Sequence, residues 1–145
     1  MKSTNIVIAS AKRLIASSIQ KMLMNDGGAK IQATIYNKED LTTVLQTSSV
    51  DILIIDQQML SELYVWKNIH PKTLKRSIRV LLITSKKYGS ITGELPGFIP
   101  DQVSYWEKGI DELQRLFDLL RRNKKSIFER NNKISIGYVK KFDHN

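Results

Sequence analysis

Apolar residues fall along this chain in two rhythms. Ile6-Val7-Ile8-Ala9 is a short continuous apolar run, the pattern of a buried strand. Leu14, Ile15, Ile19, Met22 and Leu23 then recur at helical spacing, and Asn25-Asp26-Gly27-Gly28 stops that helix. Ile31, Ala33 and Ile35 alternate with Gln32, Thr34 and Tyr36, which predicts a half-exposed or edge strand. Asn37 is placed to cap the next helix, whose first turn carries Glu39 and Asp40 and whose inner stripe is Leu41, Val44 and Leu45. Val50–Asp56 is a second buried strand, and a helix is predicted from about Ser61 to Ile69, with Pro71 helping to end it. Ile78–Thr84 is a third buried strand and Gln102–Trp106 a weak one. Leu113, Leu116, Phe117 and Leu120 mark a final amphipathic helix, with acids in its first turn and bases at its end.

Strands that alternate with helices imply a parallel sheet covered on both faces. The near-continuous apolar strands suit central positions, and the alternating second strand suits an edge. The fold expected is α/β and flavodoxin-like: a doubly wound five-stranded parallel sheet in the order 2-1-3-4-5. Ligands of such sheets sit at the carboxyl ends of the strands. Gly89, Gly93, Pro96, Gly97 and Pro100 leave the helix between the fourth and fifth strands poorly encoded. The domain is expected to run over residues 1–122, and residues 123–145 form a basic C-terminal extension or linker.

Composition narrows the classes. At 145 residues, with 41% hydrophobic and 26% charged, the chain suits one globular domain. It has no cysteine and two histidines, so disulfide frameworks, Cys nucleophiles and His-rich metal sites are excluded. No apolar run approaches the roughly 20 residues that span a bilayer. No signal-peptide pattern opens the sequence, so a cytoplasmic location without membrane partners is the expectation. The net charge of +9 is unevenly placed. Residues 1–120 carry 15 Lys/Arg and 12 Asp/Glu, a balance of +3, whereas residues 121–145 carry 8 and 2, a balance of +6. A second basic stretch, Lys67 to Lys87, has no acid between Glu62 and Glu94. Both read as solvated surfaces or as contacts for an acidic partner.

In the expected topology the residues closing strands one, three, four and five converge: Ser10, Asp56, Thr84 and Lys108. A carboxylate, a hydroxyl and an amine at one rim suit phosphoryl chemistry, with Asp as nucleophile. The arrangement resembles the receiver domain of two-component response regulators, over residues 5 to about 122. The matching parts are Val50–Asp56 with Met59 three residues on, Leu82-Ile83-Thr84-Ser85, and Tyr105-Trp106-Glu107-Lys108, with 28 residues from Asp56 to Thr84 and 24 from Thr84 to Lys108. The resemblance implies that Asp56 is the phosphoacceptor, Thr84 the switch hydroxyl, Lys108 the phosphate-sensing lysine and Tyr105 the switch aromatic. It implies a sensor kinase or regulatory protein as partner, a second copy of the chain as a candidate partner, and a role in signal transduction and transcription regulation.

The departures define an atypical receiver, or pseudo-receiver. The family's acidic pair, which helps hold Mg²⁺, is Ser10-Ala11 here. Mg²⁺ needs anionic oxygen ligands in near-octahedral geometry, so neither a metal site nor a cofactor is expected. Leu60 and Gly109 stand where the family usually has proline, and Gly109 removes any cis X-Pro bond. Two states of Asp56 remain open: a static one, in which it caps the rim or pairs with Lys108 while Ser10 donates to the carboxylate, or efficient Mg²⁺-dependent phosphorylation. The static pair is the one expected. Lys12 and Arg13 either replace the lost metal charge or are merely exposed helix residues.

The extension is too short for a helix-turn-helix domain, which needs about three helices. Its bases beside Tyr138 and Phe142 make nucleic acid a candidate partner. With no Gly-rich phosphate loop, catalytic His or metal cluster, an enzyme is not expected. The function expected is an atypical receiver working through protein contacts. The alternatives are the phosphorylatable receiver half of a DNA-binding response regulator and a small nucleic-acid-binding regulator.

Overall fold

The computed structural model describes residues 3–64, 78–85 and 100–122. The helix expected up to Ile69 therefore lies partly outside the described residues. So do the poorly encoded helix before Pro100, most of the Lys67–Lys87 stretch and the extension from 123 on.

Five strands form one sheet: β1 Thr4–Ala9, β2 Ala29–Ile35, β3 Ile52–Asp56, β4 Arg79–Thr84 and β5 Gln102–Tyr105. All pairings are parallel, in the order β2-β1-β3-β4-β5, so β2 is an edge as its alternation predicts. The described helices are α1 Arg13–Met24, α2 Lys38–Thr47, α3 Gln57–Tyr64 and α4 Ile110–Arg122. A 3-10 turn, Trp106–Lys108, joins β5 to α4.

The pleat explains the two cores. Successive strand residues point to opposite faces. On one face Val7, Leu53, Ile55, Val80 and Leu82 pack with Leu41 and Leu45 of α2 and Met59 and Leu60 of α3. On the other, Ile6, Ile8, Ile52, Ile54, Leu81 and Ile83 pack with Ala16, Ile19 and Leu23 of α1 and Leu113, Leu116 and Phe117 of α4. Asn37 does cap α2: its side-chain oxygen accepts the Asp40 N–H at 2.8 Å.

Two expectations need correction. α3 begins at Gln57, directly after Asp56, not near Ser61. Gln57 and Gln58 look like loop residues, but Asp56 itself caps the first turn: its Oδ1 accepts the Met59 N–H at 2.7 Å. Arg79, counted in sequence with the basic surface stretch, is only 6% exposed. Its acidic neighbours come from other strands. Asp51 precedes β3, Asp101 precedes β5, and both charges act on its guanidinium. Burial pulls the Arg79 pKa below its ordinary value, while those two carboxylates oppose the shift. Its Nη1 donates to the Leu120 carbonyl at 2.5 Å, tying the start of β4 to the end of α4.

Candidate functional site

The carboxyl ends of β1, β3, β4 and β5 lie side by side, and three of the four polar residues named from sequence, Ser10, Asp56 and Thr84, are buried there. Ser10 follows β1 and is 1% exposed, Asp56 closes β3 and is 5% exposed, and Thr84 closes β4 and is 4% exposed. Sheet register sets their spacing: Asp56 lies beside Ile83, and Thr84 is the direct partner of Tyr105. Tyr105 is half-buried, and the following Trp106 packs against the α1/α4 side of the core.

Asp56 is held from two directions. Met59 N–H meets Oδ1, and the Ser10 hydroxyl donates to Oδ2. Ser10 is itself oriented, since its Oγ accepts the Lys12 N–H at 3.1 Å. A serine thus meets the carboxylate at the first of the two positions, Ser10-Ala11, where the receiver pattern has its acidic pair.

The expected ion pair of Asp56 with Lys108 is not formed. Ion pairs do join Arg115 to Glu112 and Arg121 to Asp26. Lys108 is exposed at the end of the 3-10 turn. β5 ends at Tyr105, so the chain has already turned before Lys108 could extend along the strand toward Asp56. Gly109 completes that turn at φ +88° and ψ 173°, a conformation open essentially to glycine alone.

A residue missed in the sequence lies at the centre of the rim. Gln57 is 3% exposed, and its Oε1 accepts the Thr84 hydroxyl. Only its place directly after Asp56 could have pointed to it, because a glutamine at a helix start ordinarily faces water. Next along the chain, the Ser85 hydroxyl donates to the Glu107 carboxylate, joining the end of β4 to the 3-10 turn. Lys12 and Arg13 are exposed, and the Arg13 guanidinium sits 4.1 Å from the centre of the Tyr36 ring.

A magnesium ion of the kind receiver domains use does not fit these residues. Among the described residues no group of three or more His, Cys, Asp or Glu could hold a metal ion. Asp56 contributes the one carboxylate among the residues closing β1, β3 and β4, beside Ser10 and Thr84. Ser10 and Ala11 provide no anionic oxygen. Nor, among the described residues, is any helix long and apolar enough to cross a membrane.

Fold and rim together define the class of architecture, the receiver fold, and solved structures bear this out. The isolated REC domain of RcsB from Salmonella enterica serovar Typhimurium superposes with a TM-score of 0.67 at 16% identity, covering 86% of this chain and 94% of that one. A DNA-binding response regulator of the LuxR family from Staphylococcus aureus gives 0.60 at 19% identity, covering 81% and 98%. RcsB from the same Salmonella serovar, bound to the promoter rprA, gives 0.65 at 14% identity, covering 81% of this chain and 67% of that one. At these identities the likeness establishes the fold. No protein-family model matches the sequence, and no curated protein matches it.

Proposed function

We propose that this chain is a receiver-type signalling module that works through protein contacts, with little or no Mg²⁺-dependent phosphorylation of Asp56. It is a regulatory module and not an enzyme. The observation that carries the reading is the Ser10–Asp56 hydrogen bond. In a phosphorylatable receiver the carboxylate needs a neighbouring cation, because attack by one anion on an anionic phosphodonor is otherwise opposed by charge. Here a neutral hydroxyl meets Asp56 instead. Asp56 keeps the phosphoacceptor position, and Thr84, Tyr105 and Lys108 keep the positions that would respond to it. Partners under this reading are a regulatory protein or sensor kinase and a second copy of the chain, in the cytoplasm.

Incubation with a small phosphodonor, with and without Mg²⁺, tests the reading. Wild type is expected to gain no acid-labile phosphate. Robust labelling that Asp56→Asn abolishes would restore an ordinary phosphorelay receiver.

A second reading is favoured by the +6 balance of residues 121–145. In it, the chain is the receiver half of a DNA-binding regulator, or binds nucleic acid through the basic extension itself. The RcsB chain bound to promoter DNA supports this by analogy of fold. It predicts salt-sensitive binding that weakens when residues 123–145 are removed. Absence of any DNA or RNA shift at low salt counts against it.

A further inference from the structure

We propose that Gln57 is the positioning residue of the rim: its side-chain carbonyl accepts the Thr84 hydroxyl's hydrogen bond and holds that hydroxyl in one orientation without a phosphoryl group. The inference rests on the reading above and adds a regulation to it, a rim set permanently in one state.

The rim is stitched by its own side chains. Ser10 donates to Asp56, Thr84 donates to Gln57, and Ser85 donates to Glu107. The peptide bonds Asp56–Gln57 and Thr84–Ser85 join these three links into one path. It crosses β1, β3, β4 and the turn after β5, which are neighbours in that order in the sheet. The middle link is the most sheltered. Gln57 is 3% and Thr84 4% exposed, so water is a poor substitute for either partner. A threonine hydroxyl has one proton to give. While Gln57 Oε1 receives it, Thr84 cannot donate to another acceptor above Asp56. Because Thr84 is the register partner of Tyr105, its fixed rotamer also fixes the wall beside that half-buried ring. The edge of the sheet then offers partners one surface.

A double-mutant cycle of Gln57→Leu and Thr84→Val tests the link. Leu fills similar space but accepts nothing, and Val removes the hydroxyl at nearly constant shape. The effects on the unfolding equilibrium constant are expected to be non-additive by about tenfold. In Gln57→Leu, amide hydrogen exchange at Thr84, Ser85 and Tyr105 is expected to speed up about tenfold. Additive effects, or exchange unchanged from wild type, would overturn the proposal. If Gln57→Leu does not fold, Thr84→Ser and Thr84→Val decide it. Ser should keep the wild-type exchange rate at Tyr105 and Val should not, and equal rates in the two overturn the lock. Phosphate labelling of wild type would overturn the phosphorylation-independent reading while leaving a coupled cycle intact, so the two failures are distinguishable.

Discussion

The Ser10 hydroxyl donates to Asp56 Oδ2 across two adjacent parallel strands, from the end of β1 to the end of β3. Both residues are buried, and the acceptor is a carboxylate. Hydrogen bonds to charged groups contribute more than neutral ones, about 1.5–3 kcal/mol. Ser10→Ala is therefore expected to destabilise the domain by about 1–3 kcal/mol. Urea unfolding at neutral pH checks it, and a change within about 0.5 kcal/mol would mean that Ser10 is a bystander.

Arg79 makes a comparable prediction at the opposite end of the sheet. It bonds the Leu120 carbonyl and lies near Asp51 and Asp101. Asp51 in turn accepts the Asn5 N–H at 2.8 Å, and Asp101 the Val80 N–H at 2.7 Å. Replacing Arg79 by Met keeps much of the stem but takes the donor from the Leu120 carbonyl and the positive charge from beside two carboxylates. A loss of about 2–4 kcal/mol is expected in denaturant unfolding. A neutral result would show that the guanidinium is solvated after all.

The glycine after the 3-10 turn gives a purely conformational test. A Cβ added at Gly109 would meet nothing within 4 Å, so space does not forbid a side chain. The positive φ does. Gly109→Ala is expected to cost about 1–3 kcal/mol through backbone strain alone. Thermal unfolding reads it directly, and an unchanged midpoint would mean that the turn adopts another shape.

Acid should weaken the contact between the α1–β2 turn and the end of α4. Burial acts to raise the Asp26 pKa, but hydrogen bonds from Arg121 and the Gly28 N–H, with the Arg121 charge, hold it below its ordinary value of 3.8. A carboxyl depressed in the folded state stabilises above its unfolded pKa, and loses that contribution as pH falls through the folded value. Asp26→Asn is thus expected to destabilise the domain at pH 7 and to make progressively less difference below about pH 4. Unfolding curves for both proteins across that range provide the check. A gap that stays constant below pH 3 would contradict the ion pair as its cause.

Much of this architecture is legible in sequence because burial is continuous where strands are central. Ile6–Ala9, Ile52–Ile55 and Val80–Ile83 are buried at every position, and their apolar runs say so. Pairing across the sheet is not legible. Arg79 reads as surface charge because its acids lie 28 residues before it and 22 after it. Gln57 reads as a loop residue because its partner Thr84 is 27 residues away. The Asp56–Lys108 pair looked natural from strand-end positions, but it depended on where β5 stops, and a strand as short as Gln102–Tyr105 leaves that end undefined in sequence. The Ser10–Asp56 contact was foreseeable because both residues directly follow or close strands that must be neighbours.

On the proposed reading, a serine stands where Asp56 would need a neighbouring charge. Acid-labile phosphate on wild type, measured beside Ser10→Asp/Ala11→Asp after the same treatment with phosphodonor and Mg²⁺, tests it most directly. No incorporation is expected in wild type, and Mg²⁺-dependent incorporation is expected when the two acids are restored. Stoichiometric labelling of wild type at Asp56, equal to that of the double variant, would contradict it.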